Sequence, residues 1–167
     1  MLCTSWPLCG ITIRHSGCKI ILDQKAYLTK VLDCFGMTNA IVANTPLLHS
    51  YTPVAHTSNP DPTLRTQYQA IIGSLLYLML GTRPDIAFAV IKPSQFSANS
   101  SKEHYEWAKY ICRYLAGTKD YTMVFDGNTN EGLIAHSDSD WAADINNCCS
   151  ITGYFFKLAG SSVSWLS

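Results

Sequence analysis

The spacing of apolar and polar residues changes character repeatedly along the chain. Ile11 to Arg14 and Lys19 to Leu22 read as short strands around a turn at His15-Ser16-Gly17. Asp23 can then cap a helix through Phe35, with Ala26, Tyr27, Val31, Leu32 and Phe35 at helical spacing and Gly36 as a left-handed terminator. Between Ala40 and Pro62 the pattern dissolves. Pro46, Pro53, Pro60 and Pro62 lie among Ser, Thr, Asn and His, too Pro-rich to continue a helix and too polar for a core, which marks a connector.

Asp61-Pro62 joins an N-cap to a proline at the first helical position and opens a helix through Leu80. Tyr68, Ile71, Ile72, Leu75, Leu76 and Leu78 to Leu80 make that helix apolar nearly all round, which predicts deep burial. Gly81 ends it. Arg83-Pro84-Asp85 restarts a helix to about Val90, and Pro93 is expected to break or kink the segment after it. Ser100-x-x-Glu103 reads as a capping box for a further helix ending at Ala116-Gly117, with Trp107, Ile111, Tyr114 and Leu115 as its apolar stripe. Beyond Gly117 the period becomes alternating. Tyr121 to Phe125, Leu133 to Ser137, Gly153 to Leu158 and Ser162 to Trp165 are predicted strands, the last three a candidate meander. The class is α+β. With no helix after Trp165 to cover that meander, an exposed edge, an apolar patch and non-specific self-association are expected.

Composition narrows the function classes. The 167 residues are 47% hydrophobic and 14% charged, and twelve Lys and Arg balance twelve Asp and Glu. That excludes a wholly disordered chain and argues against a dedicated basic nucleic-acid binder. Seven cysteines contain no C-x-x-C pair, and the five histidines are scattered, so neither a zinc site nor a disulfide framework is expected. Reduced thiols in a cytoplasmic or nuclear compartment fit better. No charged segment followed by an apolar run opens the chain, so no signal peptide is expected. Gly81 to Asp85 interrupt the apolar stretch from Ile71 to Ile91, which predicts no membrane span.

Candidate chemistry is sparse. Asp138-x-Asp140 pairs two carboxylates, but its one basic neighbour is His136, and Ser137 beside that histidine faces the other way on a strand. Gly127 and Gly132 lack phosphate-loop spacing. Lys102, Lys109, Arg113 and Lys119, with Tyr105, Trp107 and Tyr110 between them, could track a template–primer backbone. Glu103 and Glu106 beside them favour a solvated outer helix face instead.

Several blocks carry a resemblance. Tyr68-Gln69-Ala70-Ile71-Ile72-Gly73-Ser74-Leu75-Leu76-Tyr77-Leu78, then Thr82-Arg83-Pro84-Asp85-Ile86-Ala87, resemble a signature of copia-type retrotransposon Pol polyproteins. Lys102-Glu103-His104 with Arg113-Tyr114-Leu115-Ala116-Gly117-Thr118 does so too. Ser137-Asp138-Ser139-Asp140-Trp141-Ala142 with Ser150-Ile151-Thr152-Gly153-Tyr154 resembles the opening of the family's ribonuclease H domain. Gln24-Lys25-Ala26-Tyr27, Phe35-Gly36-Met37 and Thr45-Pro46-Leu47 resemble the end of its reverse transcriptase domain.

The resemblance implies a strand–helix remnant of a polymerase (1–47), a linker (48–63), a helical connection (64–118) and the first antiparallel strands of an incomplete ribonuclease H-like domain (121–167). The parent would copy RNA into DNA and cleave RNA–DNA hybrids with Mg²⁺, taking hybrid or template–primer as partner. Asp138 matches the first of about four ribonuclease H carboxylates and is the candidate catalytic and metal-binding residue. The family's Y-V-D-D is absent, since no two aspartates are adjacent, and its S-T-E-A-E block would lie past Ser167. Inactivity alone is therefore expected, with no cofactor and weak or no nucleic-acid binding. The alternatives are a domesticated interaction module built on the helical connector, or a mis-predicted gene model of a longer active enzyme. Cys148-Cys149, Ile151, Ser100 and Leu166 depart from the family pattern in ways single C-to-T changes would produce, which suggests a decaying frame; Pro93, in place of a Leu, does not.

Overall fold

The computed structural model describes residues 5–47, 61–140 and 151–166. It is α+β and divides into two compact units, Met1–Gln24 with Asp120–Ser167, and Lys25–Lys119. The first holds seven strands: β1 (Ser5–Leu8), β2 (Ile11–Ser16), β3 (Lys19–Asp23), β4 (Met123–Phe125), β5 (Ile134–Asp140), β6 (Ile151–Leu158) and β7 (Ser161–Leu166). The second holds α1 (Lys25–Cys34), α2 (Pro62–Gly81), a 3₁₀ turn at Pro84–Ile86, α3 (Ala87–Ser94) and α4 (Lys102–Gly117).

The strands form two antiparallel sheets, ordered β1-β2-β3-β4 and β5-β6-β7. In the first sheet, Trp6, Ile13, Leu22 and Met123 stand in one cross-strand row, and Ser5, Arg14, Ile21 and Val124 in another. The sequence pattern does not predict β1, because Pro7 interrupts it; a proline is tolerated there since β1 is an edge. Its turn takes Cys9 and Gly10 into the left-handed region, φ 49° and 75°, the twist a two-residue hairpin favours. The next turn is Gly17-Cys18, tighter than His15-Ser16-Gly17: ladder pairing continues to His15 opposite Ile20 and Ser16 opposite Lys19. Of the predicted C-terminal strands, the first joins β3, and the other three form the expected meander.

In the helical unit, Asp61 caps α2 by accepting the Thr63 N–H at 3.0 Å, in keeping with its position before a proline. Tyr68, Ile71, Leu75 and Leu78 are fully buried, with Ile86 and Val90 from the following turn and helix and Ile111 and Leu115 from α4. The burial of α2 is less complete than its apolarity implies: Leu80 is 67% exposed and Tyr77 also reaches solvent. Pro93 lies inside α3, which runs one residue past it; the lost amide falls in the final turn, and the Pro93 carbonyl accepts the Tyr68 hydroxyl at 2.6 Å. The α4 cap is displaced by one residue from the expected Ser100/Glu103 pair. The Ser101 hydroxyl accepts from the His104 N–H, and His104 Nδ1 accepts from the Ser101 N–H at 3.0 Å. An imidazole thus fills the role usual for Glu or Gln. Among the described residues, no helix is long and apolar enough to cross a membrane.

Candidate functional site

Asp138 lies within β5, opposite Gly153 of β6, and is exposed. Residues two apart on a strand share a face, so His136 stands beside it, opposite Phe155, with ring centroids 6.4 Å apart. Ser137 projects from the other face, which removes any Ser–His pairing. Mg²⁺ is held where several oxygen ligands converge, usually with waters completing an octahedron. Among the described residues, no group of three or more His, Cys, Asp or Glu is placed to hold a metal ion. Asp138 and the described residues around it therefore do not by themselves make up a magnesium site. Cys148 and Cys149 lie outside the described residues.

The basic face of α4 is more organised than its sequence suggests. Lys102, Glu106, Lys109 and Arg113 are spaced to share one side of the helix. Lys109 pairs with Glu106 at 3.0 Å and lies 5.1 Å from the centre of the Tyr105 ring. Arg113 stacks over Tyr110 at 5.4 Å and donates through Nε to the Ile41 carbonyl at 2.6 Å. Lys102, Glu106, Lys109, Tyr110 and Arg113, with Met37, Glu103 and Trp107, line an open hollow of about 780 Å³. Two of its cations, Lys109 and Arg113, are thus already engaged by protein groups. Lys119 lies beyond the helix and does not line the hollow.

Sequence reasoning missed the cluster around Arg83. Its side chain is almost wholly buried and forks onto Asp85, Nε to Oδ1 at 2.9 Å and Nη2 to Oδ2 at 2.7 Å. The same guanidinium donates to the Thr118 carbonyl at 3.1 Å and the Thr118 hydroxyl at 2.6 Å, at the C-terminal end of α4. Tyr114 donates its hydroxyl to Asp85 Oδ2 at 2.9 Å. A cation at a helix C-terminus and a carboxylate in the first turn of the 3₁₀ segment both complement the backbone dipoles. The signal was present as two signature blocks, Thr82-Arg83-Pro84-Asp85 and Tyr114-Leu115-Ala116-Gly117-Thr118, whose polar residues meet in space. Their geometry is that of a clamp between elements. Its hydroxyls, from Tyr114 and Thr118, are both engaged in hydrogen bonds within it.

Burial pushes the Cys112 thiol up to about 12, leaving it neutral and unreactive at ordinary pH. Cys9, Cys18 and Cys34 are free and exposed.

The signature blocks that interlock in the helical unit are those that resemble a retroelement Pol polyprotein, and comparison with known proteins identifies the lineage. The chain is 40% identical over 165 residues to the Retrovirus-related Pol polyprotein from transposon TNT 1-94 of Nicotiana tabacum, covering 94% of this chain and 12% of that protein. It is 37% identical over 163 residues to the Pol polyprotein from transposon RE2 of Arabidopsis thaliana, covering 95% and 11%. It is also 41% identical over 100 residues to Secreted RxLR effector protein 161 of Plasmopara viticola, covering 60% of this chain and 70% of the effector. The chain belongs to the copia-type retrotransposon Pol polyprotein family. It spans about one-eighth or less of the length of its Pol relatives. No family model and no solved structure matches it.

Proposed function

We propose that this chain is a fragment of a copia-type Pol polyprotein that spans the end of the reverse transcriptase, the helical connection and the start of the ribonuclease H domain. Its parent copies RNA into DNA and cleaves RNA–DNA hybrids; the fragment alone does neither. The observation carrying this reading is coverage: similarity along 94% of the chain meets only 12% of the TNT 1-94 polyprotein. The placement of Asp138 supports the second half of it. Two-metal phosphoryl chemistry needs carboxylates that hold ions roughly 3.5–4 Å apart, and one exposed aspartate does not hold such a pair. RNA–DNA hybrid and template–primer are the parent's partners, with Mg²⁺ its cofactor. The α4 face, with Lys109 and Arg113 internally engaged, would bind such strands weakly.

The test is direct. Purified chain is given labelled hybrid and primed template with Mg²⁺ or Mn²⁺, and neither cleavage nor extension is expected. Metal-dependent hybrid cleavage that Asp138→Asn abolishes would overturn the proposal.

A second reading, an interaction module retained on the helical unit, is favoured by the relation to a secreted effector of comparable size. Sister copies of the DNA separate the two. Silent changes outpacing replacement changes across this frame would support a retained module, and equal rates a relic.

A further inference from the structure

The hollow on the flank of α4 is lined wholly by residues of the helical unit. Its floor is apolar: Met37 and Trp107 are nearly buried, and the half-buried Tyr110 ring lies beside them. Charge around the rim is unevenly matched. Lys109 is paired with Glu106. Glu103 lies in the first turn of α4, where the backbone dipole offsets a carboxylate. Two cations keep donors in hand. Among the described residues Lys102 makes no ion pair or hydrogen bond, and Arg113 donates only through Nε, to the Ile41 carbonyl, leaving Nη1 and Nη2 with no acceptor. These two cations stand at the two ends of the hollow, on one side of the helix and about 16 Å apart along its axis.

We propose that this hollow is a docking site for a short acidic segment of a partner protein, bound extended, with a carboxylate at each end and an apolar side chain between them. The proposal rests on the second reading above, an interaction module on the helical unit, and names the partner's chemistry. Side chains two apart on an extended segment share a face, and four steps of the chain cover about 13 Å. Acids at the first and fifth positions therefore come within reach of the long side chains of Lys102 and Arg113. The third side chain then lies over Trp107 and Met37, where it buries apolar area. At the Arg113 end, two free guanidinium nitrogens suit a carboxylate held by two hydrogen bonds. A helix of matching length fits worse: about 10 Å across and 16 Å long, it is a cylinder of about 1,300 Å³ against a hollow of about 780 Å³. A basic segment would meet two cations without counter-charges, so charge selects the acidic one.

The experiment is fluorescence anisotropy with the full chain and a labelled pentapeptide, Glu-Gln-Phe-Gln-Glu. Saturable binding in the micromolar range is expected, weakening as salt is raised. Lys102→Glu should raise the dissociation constant about fivefold, the scale of one exposed ion pair. Of the two peptides with a single glutamate changed to lysine, one should bind that variant more tightly than it binds wild type, which a misfolded variant would not do. Lys92→Glu, which alters a cation over Phe88 and outside the hollow, should leave the affinity unchanged. A chain that binds no acidic peptide, or binds Lys-Gln-Phe-Gln-Lys equally well, would overturn the proposal. So would equal losses from Lys92→Glu and Lys102→Glu. Displacement of the peptide by a lower concentration of oligothymidylate would give the hollow to a nucleic-acid strand, and self-association that Lys102→Glu abolishes would give it to a second copy; either result overturns the proposal. Substitution rates in sister copies test the module reading without reference to this hollow, so the two failures are told apart.

Discussion

Replacing Arg83 with leucine tests the idea that the signature blocks form a clamp. Leucine keeps most of the aliphatic volume but removes four donated hydrogen bonds, two to Asp85 and two to Thr118. The Arg83 side chain is 4% exposed and that of Asp85 30%, so the carboxylate left behind is only partly rescued by water. Breaking a buried pair by removing one partner costs about 3–5 kcal/mol, and the residual exposure of Asp85 places this case near 3 kcal/mol. All the described helices lie in the unit containing the clamp, so far-UV circular dichroism during urea unfolding reports on it. With a urea m-value of about 1.5 kcal/mol/M, the midpoint should fall by about 2 M.

Arg83→Lys keeps the charge but cannot reproduce the fork onto Asp85 while also reaching Thr118, so it should lose more than half as much. Adding Asp85→Leu to Arg83→Leu removes the stranded carboxylate and should recover part of the loss, the mark of coupling between contacting groups. A midpoint for Arg83→Leu within about 0.7 M of wild type would refute the clamp, because a surface ion pair contributes no more than about 1 kcal/mol. Strict additivity in the double variant would refute the coupling.

Two further outcomes rest on burial. Ser101→Ala should cost about 1 kcal/mol through loss of the α4 cap, whereas Ser100→Ala should cost nothing, since the buried Ser100 hydroxyl has no hydrogen-bond partner among the described residues; equal losses in thermal melts would return the cap to Ser100. Cys112, raised from 9.0 to about 12, holds its proton longer in the fold than in the unfolded chain, so its contribution is complete below pH 9 and is lost between pH 9 and about 12. The stability gap between wild type and Cys112→Ala should therefore shrink by about 1.4 kcal/mol per pH unit above pH 9, and a flat gap would contradict the burial.

Elements with strong local signals are legible without the structure. Asp61-Pro62 announces α2, Gly36 takes the left-handed conformation its place after a helix implies, and the last three strands pair as a meander. The features that escape depend on contacts distant in sequence. The strand at β1 depends on pairing with β2 and on the sheet behind it, since its own Pro7 argues against it. The α4 cap turns on His104, whose ring stacks on Phe96 at 4.4 Å, so a tertiary contact selects Ser101 over Ser100. At the candidate site, Asp138 is legible as a strand residue. Whether other ligands surround it is a three-dimensional question that spacing in the sequence does not answer.

Arg83, Asp85, Tyr114 and Thr118 join the start of one helix to the end of another, and none of them approaches the strand that carries Asp138 in sequence or belongs to its unit. Total stability of a domain is about 5–15 kcal/mol, so breaking the clamp at a cost of about 3 kcal/mol removes a large share of it before any chemistry is considered. A chain that stopped catalysing would keep these residues for as long as it had to fold. On the proposed function, a chain that catalyses needs, in addition, carboxylates gathered around Asp138, and Arg83, Asp85, Tyr114 and Thr118 contribute none. The helical unit is thus held together by one set of residues, and activity would have to be carried by a different set. Similarity at about 40% identity extends alike to a Pol polyprotein and to a secreted effector.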